Sequence, residues 1–142
     1  MSESLDIDIA WGGFYACTSP DESVFSVIRI LDFNQDAYHV ALFSETFEKI
    51  PSTDVVEALS PFVGHAPIDA KGLLNYKTME LICTKSLTRN SLEGYMYYLE
   101  EFGMLEEERD QLTNSLIAFS NDVPLKLKLS IINGELQIEE RT

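Results

Sequence analysis

Apolar and polar residues alternate in three short segments of the N-terminal third, in the pattern of β-strands. The segments are 11–17 (WGGFYAC), 24–31 (VFSVIRIL) and 38–43 (YHVALF), and all are rich in aromatic and β-branched residues. With turn-forming residues between the second and the third, the pattern predicts a three-stranded antiparallel meander. Because 24–31 carries apolar residues on both of its faces, we expect this strand to be central in the sheet and covered on both sides.

The middle of the chain mixes short elements with connections that contain proline. The segment 47–51 predicts a short edge strand that ends at its proline, and the serine and threonine at 52–53 predict the start of a short helix. The two prolines and the glycine of 61–69 (PFVGHAPID) predict a loop, and 71–76 is compatible with one helical turn. Alternation over 78–84 (TMELICT) predicts a further strand.

After residue 90 the apolar period changes from two to 3.6, which indicates helices. The apolar residues of the first predicted helix, 91–102, are Leu92, Tyr95, Met96 and Leu99. Asn90 followed by Glu93 has the spacing of an N-terminal cap, and Gly103 suits the C-terminal turn. A second predicted helix has an apolar face opposite its acidic residues, made of Leu105, Leu112, Leu116 and Phe119. We expect the two helices to form a hairpin.

The last segment predicts a β-hairpin, because two alternating runs, 124–131 and 135–140, flank Asn133 and Gly134. The predicted fold class is therefore α+β, with an antiparallel β-sheet, made of the N-terminal meander plus the C-terminal hairpin, packed with a helical hairpin. A length of 142 residues corresponds to a single domain, 1–142, in which we expect 1–10 to be a flexible N-terminus.

The chain is strongly acidic, with 24 Asp and Glu residues against 10 Lys and Arg residues and a formal charge of −14. The net charge is −9 over residues 1–60, +2 over 61–90 and −7 over 91–142. A surface this negative repels phosphate backbones, so the composition disfavours direct binding to nucleic acid. The sequence has no apolar run near the ~20 residues of a membrane span and no secretory signal, so we expect a cytoplasmic protein without a membrane partner.

The densest acidic run lies around the predicted helix-to-helix turn. It consists of Glu100, Glu101, Glu106, Glu107, Glu108 and Asp110. These acids have two interpretations, a solvated helix face whose first turn complements the helix dipole, or a docking surface for a basic protein partner. Tyr97 and Tyr98 are the candidate aromatic anchors of such a surface, whereas Tyr95 falls on the predicted buried stripe, and Trp11 is interpreted either as part of an aromatic surface or as core.

The sequence shows no assembly of catalytic or metal-binding residues. Cys17 and Cys83 are isolated, and we expect both to be reduced and unreactive. His39 lies within a predicted strand, whereas Gly64 and His65 lie in the predicted loop, where functional residues concentrate. We therefore predict no catalytic residue, no metal site and no cofactor, and we keep Gly64 and His65 as a possible functional loop.

Several short motifs between residues 11 and 101 resemble those of a known group of proteins. They are GGFYA, VIRILDF, DAYHVALFSETFEKIP, VGHAPID and SLEGYMYYLEE. In these motifs the chain resembles small bacterial proteins that are similar to immunity proteins of polymorphic toxin systems. The resemblance implies a cytosolic protein that binds and neutralises a toxin, and it identifies no functional residue.

The acidic charge agrees with this implication, because a toxin that attacks nucleic acid with a basic active site would attract an acidic inhibitor. Two alternatives remain open from the sequence. One is a structural or regulatory subunit of a larger complex, and the other is a small enzyme of unknown reaction. The sequence does not indicate an oligomeric state.

Overall fold

A computed structural model describes residues 7–18, 23–33, 37–69, 78–121, 126–132 and 135–141. In chain order the elements are β1 (Ile7–Ala10), β2 (Gly13–Thr18), β3 (Phe25–Phe33), β4 (Ala37–Phe47), α1 (Thr53–Glu57), β5 (Val63–Asp69), β6 (Thr78–Thr84), α2 (Arg89–Glu101), α3 (Glu106–Asn121), β7 (Lys126–Ile132) and β8 (Glu135–Arg141). The larger sheet is antiparallel with strand order β5-β4-β3-β2-β6, and the smaller has the order β1-β7-β8. The predicted α+β class is confirmed.

The predicted meander corresponds to β2, β3 and β4, and β3 is the central strand of the larger sheet. Its side chains are buried on both faces, as expected: Ile28 and Ile30 pack on one side, and Val27 and Leu31 on the other. The predicted strand over 78–84 is confirmed as β6, which forms one edge of this sheet.

The other edge strand is β5, where the sequence predicted a loop. Its residues pair with β4, and His39 lies opposite Pro67 in this register. Pro67 is exposed. Proline has no N–H to donate to a neighbouring strand, so an edge strand tolerates it although a central strand would not. The loop prediction was wrong because it did not consider the edge of the sheet. The predicted edge strand over 47–51 was also wrong, since Phe47 ends β4 and a bend follows.

The C-terminal hairpin is confirmed by the pairing of β7 with β8, in which Ile132 lies opposite Glu135. The predicted turn at 133–134 lies outside the described residues, as does 71–76. The hairpin does not extend the meander sheet as predicted, because β7 pairs instead with β1 in a separate sheet. The sequence analysis assigned residues 1–10 to a flexible N-terminus, whereas Ile7–Ala10 form this paired strand.

Helix α2 begins two residues earlier than the predicted cap would place it. Its N-cap is Thr88, not Asn90: the Thr88 hydroxyl accepts from the Ser91 backbone N–H, and the Ser91 hydroxyl accepts from the Thr88 N–H. The spacing Asn90–Glu93 imitates a capping box, but the hydroxyl pair supplies the same two hydrogen bonds. The short helix α1 begins after Ser52, as predicted.

Gly103 follows the C-cap of α2 and has a φ of +87°. Its backbone N–H donates to the Glu100 carbonyl, and the Met104 N–H donates to the Leu99 carbonyl. This pair of bonds is the Schellman arrangement. Helix α3 packs against α2, which confirms the helical hairpin. Its predicted contacts are only partly correct: Leu116 is buried and Phe119 is 40% exposed with its ring against Trp11, whereas Leu105 is 65% exposed.

The helices cover one face of the larger sheet. Around α2 and α3, the buried residues are Trp11, Leu31, Leu87, Leu92, Tyr95 and Leu116. Around α1 they are Phe14, Val27, Ala41, Phe43 and Val56. Trp11 and Tyr95 therefore belong to the core, which removes them from any surface site. The two clusters leave a gap between α1 and the start of α2, and this gap forms a cavity.

Candidate functional site

The turn between α2 and α3 presents a surface in which apolar and acidic side chains are interspersed. We call it the hairpin surface and define it as Tyr97, Glu100, Glu101, Phe102, Leu105, Glu106, Glu107, Glu108 and Asp110. Its apolar members are exposed to an unusual degree: Phe102 by 74%, Leu105 by 65% and Tyr97 by 61%. Exposed large apolar side chains that cluster within one turn are typical of interaction surfaces.

The acids of the hairpin surface are all exposed, but they do not have the same relation to the helices. Glu106, Glu107 and Glu108 lie in the first turn of α3, where negative charge complements the helix dipole. Glu100 and Glu101 lie in the last turn of α2, which contains no basic residue. Negative charge at a helix C-terminus is unfavourable. The dipole therefore explains the acids of α3 but not those of α2.

Asp110 differs from the other acids because it has a cationic partner. Its carboxylate lies 3.6 Å from the Arg89 guanidinium, and both side chains are well exposed. Exposed ion pairs of this kind contribute little to stability. Asp110 is thus a weaker candidate for partner binding than Glu100 or Glu101.

Below the hairpin surface, a stack of rings leads into the core. We call it the aromatic stack, and its members are His39, His65, Tyr95, Tyr98 and Phe102. The ring centroids of His65 and Tyr98 are 4.6 Å apart, and those of Tyr98 and Phe102 are 4.7 Å apart. The stack brings together two residues that the sequence analysis proposed separately, Tyr98 and His65. Tyr98 is half-buried in it, so Tyr97 and Phe102 are the exposed aromatic residues of the hairpin surface.

The two histidines join neighbouring strands at the base of the stack. His39 Nδ1 on β4 lies 2.8 Å from His65 Nε2 on β5, and the Tyr95 ring lies 4.3 Å from the His39 ring. Burial lowers the pKa of each histidine to about 4, and for His65 the neighbouring His39 contributes to this shift. At neutral pH both imidazoles are therefore uncharged, and one donates its N–H to the other.

Tyr95 is fixed by a half-buried carboxylate. Its hydroxyl donates to Asp32 Oδ2 at 2.7 Å, and the Trp11 indole N–H donates to Asp32 Oδ1 at 3.1 Å. Burial raises the pKa of Asp32, while these hydrogen bonds and one from the Phe33 backbone N–H oppose the shift. Through Tyr95, the carboxylate holds α2 in position on the sheet.

Gly94 allows α2 to approach β5 closely. A Cβ atom at this position would lie 3.2 Å from the Cβ atom of His65 and 3.3 Å from the Gly64 carbonyl carbon. Gly64 and His65 therefore lie in an edge strand beside α2, not in the predicted loop.

Both cysteines have thiols whose pKa is raised by burial. Cys17 is buried, and burial raises the pKa of its thiol to about 12. Cys83 is half-buried, and burial raises its thiol pKa too. Among the described residues, no group of three or more His, Cys, Asp or Glu side chains is placed to hold a metal ion. In the same part of the chain, none of the helices has the length and apolar character needed to cross a membrane.

The sequence analysis missed Phe102 and misplaced Leu105. Leu105 was assigned to the buried stripe of α3, but it precedes the helix and its carbonyl accepts the Arg109 N–H. The signal was present in Gly103, because Leu105 is only two residues beyond this helix-ending glycine and so lies in the connection, where the helical period no longer applies. Phe102 follows Tyr98 by four residues, so its contact with Tyr98 is the expected one on a helix.

Comparisons with protein-family models, with curated proteins and with solved structures found no match to this chain. The assignment of function therefore depends on the site itself.

Proposed function

We propose that this chain is a binding protein that inhibits a basic protein partner, and that the hairpin surface is its docking site. The observation that carries the proposal is the exposure of Phe102, Leu105 and Tyr97 at the same turn that carries the acids. Aromatic and aliphatic anchors surrounded by charge are the usual composition of a reversible protein interface.

The acids of α2 support a cationic partner. Glu100 and Glu101 lie at an exposed helix C-terminus, where the negative end of the helix dipole repels them, so they gain nothing from the helix. A basic surface placed opposite them would remove this repulsion and accelerate the encounter of the two proteins. The net charge of −14 would add to the long-range attraction.

The aromatic stack supports a preformed site. Phe102 rests on Tyr98, which rests on His65, and Asp32 fixes Tyr95 at the base. An anchor held in this way loses little conformational entropy when it binds, and preorganisation of this kind raises affinity.

The resemblance described above suggests the class of partner. An immunity-type protein would bind a toxin, and a toxin that cleaves nucleic acid needs a basic surface for its phosphate substrate. An acidic docking site that covers this surface would compete with the substrate directly. A subunit of a permanent complex would instead need a larger and more apolar interface than a turn rimmed by six acids.

The first test is affinity capture from the source cells, with the wild type and two variants as baits. The two variants have the same net charge as each other. One bait carries Glu100→Gln and Glu101→Gln, and the control carries Glu48→Gln and Glu80→Gln, which remove two exposed acids outside the hairpin surface. We expect a basic protein to be retained by the wild type and the control and to be depleted on the first bait. A partner retained equally on all three baits would contradict the proposal.

With the partner purified, association kinetics separate charge from apolar contact. For the Glu100→Gln, Glu101→Gln variant, we expect the association rate at low salt to fall about three- to tenfold, with a weaker dependence on salt. Phe102→Ala should instead increase the dissociation rate, whereas Phe62→Ala, which removes an equally exposed ring elsewhere, should not. Identical rates for Phe102→Ala and Phe62→Ala would exclude Phe102 as an anchor.

A further inference from the structure

A cavity of about 260 Å³ lies on the helix-covered face of the larger sheet. Phe14, Ala41 and Phe43 form part of its floor, Glu57 and Leu59 lie on the side of α1, and Gly94 and the first turn of α2 close the opposite side. It is close to the lower end of the volumes found for small-molecule sites, roughly 300–1,000 Å³. The cavity therefore has room for a small molecule only.

A half-buried guanidinium forms part of the cavity wall. Arg29 Nη2 donates to the Lys85 and Ser86 carbonyls at 2.9 and 3.2 Å, and Nε donates to the Gly12 carbonyl at 3.4 Å. The Arg29 Cζ atom also lies 4.8 Å from the centre of the Phe14 ring. These contacts fix the guanidinium in one place. Within the described part of the chain, Nη1 has no hydrogen-bond partner, so two N–H groups remain available.

The charge of Arg29 is not neutralised by a carboxylate in contact. Among the described residues the ion pair found within 4.0 Å is that of Arg89 with Asp110, and none involves Arg29. Glu57 and Lys85 also line the cavity, and both are exposed. Burial lowers the pKa of Arg29, and the Glu57 carboxylate partly opposes this shift through space, while Lys85 adds a second positive charge to the lining. A buried charge is usually paired, and here the interior of the cavity keeps an excess of positive charge.

Neutral donors lie beside the guanidinium. The Ser86 hydroxyl and the Asn90 amide belong to the same cavity wall, at the positive end of the α2 dipole. On the other side, Phe14 and Phe43 lie with ring centroids 6.0 Å apart and form an aromatic floor. The cavity thus has a cationic, donor-rich wall and an apolar one.

We propose that this cavity binds a small organic anion, with its carboxylate or phosphate oxygens paired to Arg29 and its apolar body on Phe14 and Phe43. Because Nε and Nη2 are bonded to backbone carbonyls, Nη1 donates to one oxygen of the anion, and the charge of the guanidinium strengthens this bond with either a carboxylate or a phosphate. The cavity lies at the N-terminal end of α2, whereas the hairpin surface begins at Tyr97 near the other end. The anion site is therefore separate from the proposed partner site and does not depend on it.

The test is an NMR titration of the full chain with two probes of the same size class, benzoate and phenyl phosphate. We expect saturable shifts of the Arg29 Nε–H signal and of the Ser86 and Asn90 amides at probe concentrations of about 1–10 mM, the range of weak fragment binding. Binding of benzoate alone identifies a carboxylate ligand, and binding of phenyl phosphate alone identifies a phosphate ligand. Shifts that do not saturate with either probe, or that map outside the cavity, would overturn the proposal.

Variants of the cavity residues test whether Arg29 is the charged group that binds the probes. Arg29→Gln should abolish the saturable shifts, and if they persist the proposal is wrong. Since Arg29 also holds the 85–86 backbone, a second variant that leaves this contact intact provides an independent test. Glu57→Gln removes the exposed negative charge of the cavity and should tighten probe binding about two- to fivefold. Glu48→Gln removes the same charge outside the cavity and should have no such effect. Equal affinities for these two variants would also count against the site.

Discussion

His39 Nδ1 lies 2.8 Å from His65 Nε2, so a single N–H joins the central region of the larger sheet to its edge strand. This bond exists only when at least one of the two imidazoles is neutral, since two imidazolium ions would place two N–H donors face to face. Tyr95 and Tyr98 cover both rings and limit the access of water. Protonation of both histidines should therefore weaken the attachment of β5 to β4.

The histidine pair predicts that stability falls in mild acid. The pKa of each histidine is lowered from 6.5 to about 4 in the folded protein, so between these values the unfolded chain binds more protons than the native protein. The free energy of unfolding should then be greatest above pH 6.5 and decrease as the pH falls toward 4. The expected slope is about 1.4 kcal/mol per pH unit for each proton of difference. Urea unfolding at closely spaced pH values measures it.

His65→Gln isolates this effect from the other titrating groups. Asp32 contributes with the opposite sign because burial raises its pKa, but it is present in both proteins and cancels in their difference. Between pH 6.5 and 4, we expect the unfolding free energy of the variant to change less steeply with pH than that of the wild type. The difference in slope should correspond to about one bound proton. Parallel stability curves for wild type and variant would show that His65 titrates normally.

Tyr95→Phe should destabilise the protein through the loss of one hydrogen bond to a half-buried carboxylate. The Tyr95 hydroxyl donates to Asp32 at 2.7 Å, and hydrogen bonds to charged groups contribute about 1.5–3 kcal/mol. Tyr97→Phe is the matched control, because Tyr97 lies two residues away on the same helix with its ring exposed. Chemical denaturation should show a clear loss for the first variant and almost none for the second. Similar losses for both would argue against the Asp32 bond.

Two glycines with positive φ should respond differently to alanine. Gly12 has a φ of +76° and Gly103 a φ of +87°, so both changes strain the backbone, by about 1–2 kcal/mol each. A Cβ atom at Gly12 would also collide with the Lys85 carbonyl oxygen, whereas at Gly103 it would meet open space. Gly12→Ala should therefore have the lower melting temperature. The reverse order would contradict the close approach of Lys85 to this turn.

Tyr38→Phe should leave stability unchanged or raise it. The Tyr38 hydroxyl is buried and has no hydrogen-bond partner in the part of the chain that the structure describes. An unpaired buried hydroxyl costs about 1–3 kcal/mol, and phenylalanine removes that cost while keeping the ring stacked on Phe33 at 4.3 Å. Calorimetry of the two proteins decides this. A loss above 1 kcal/mol would indicate that the hydroxyl has a partner after all.

The sequence by itself determined the elements in which local pattern and burial agree. The meander, β6, the helical hairpin and the C-terminal hairpin were predicted because residues such as Ile28, Leu92 and Leu116 repeat at the period of the element they form. Gly103 gave the end of α2, since the Schellman turn requires a residue that tolerates positive φ. The exposure of the acids around this turn was also predicted from charge alone.

Only the tertiary structure decided the contacts that join distant segments. The proline of β5 indicated a loop, because sequence does not reveal that the strand lies at an edge where a missing N–H costs nothing. The pairing of β7 with β1, the bond between His39 and His65, and the position of Arg29 beside a cavity each depend on how separate elements pack. These contacts have no periodic signature in the chain, since their partners are far apart in sequence and are brought together by burial of the two sheet faces.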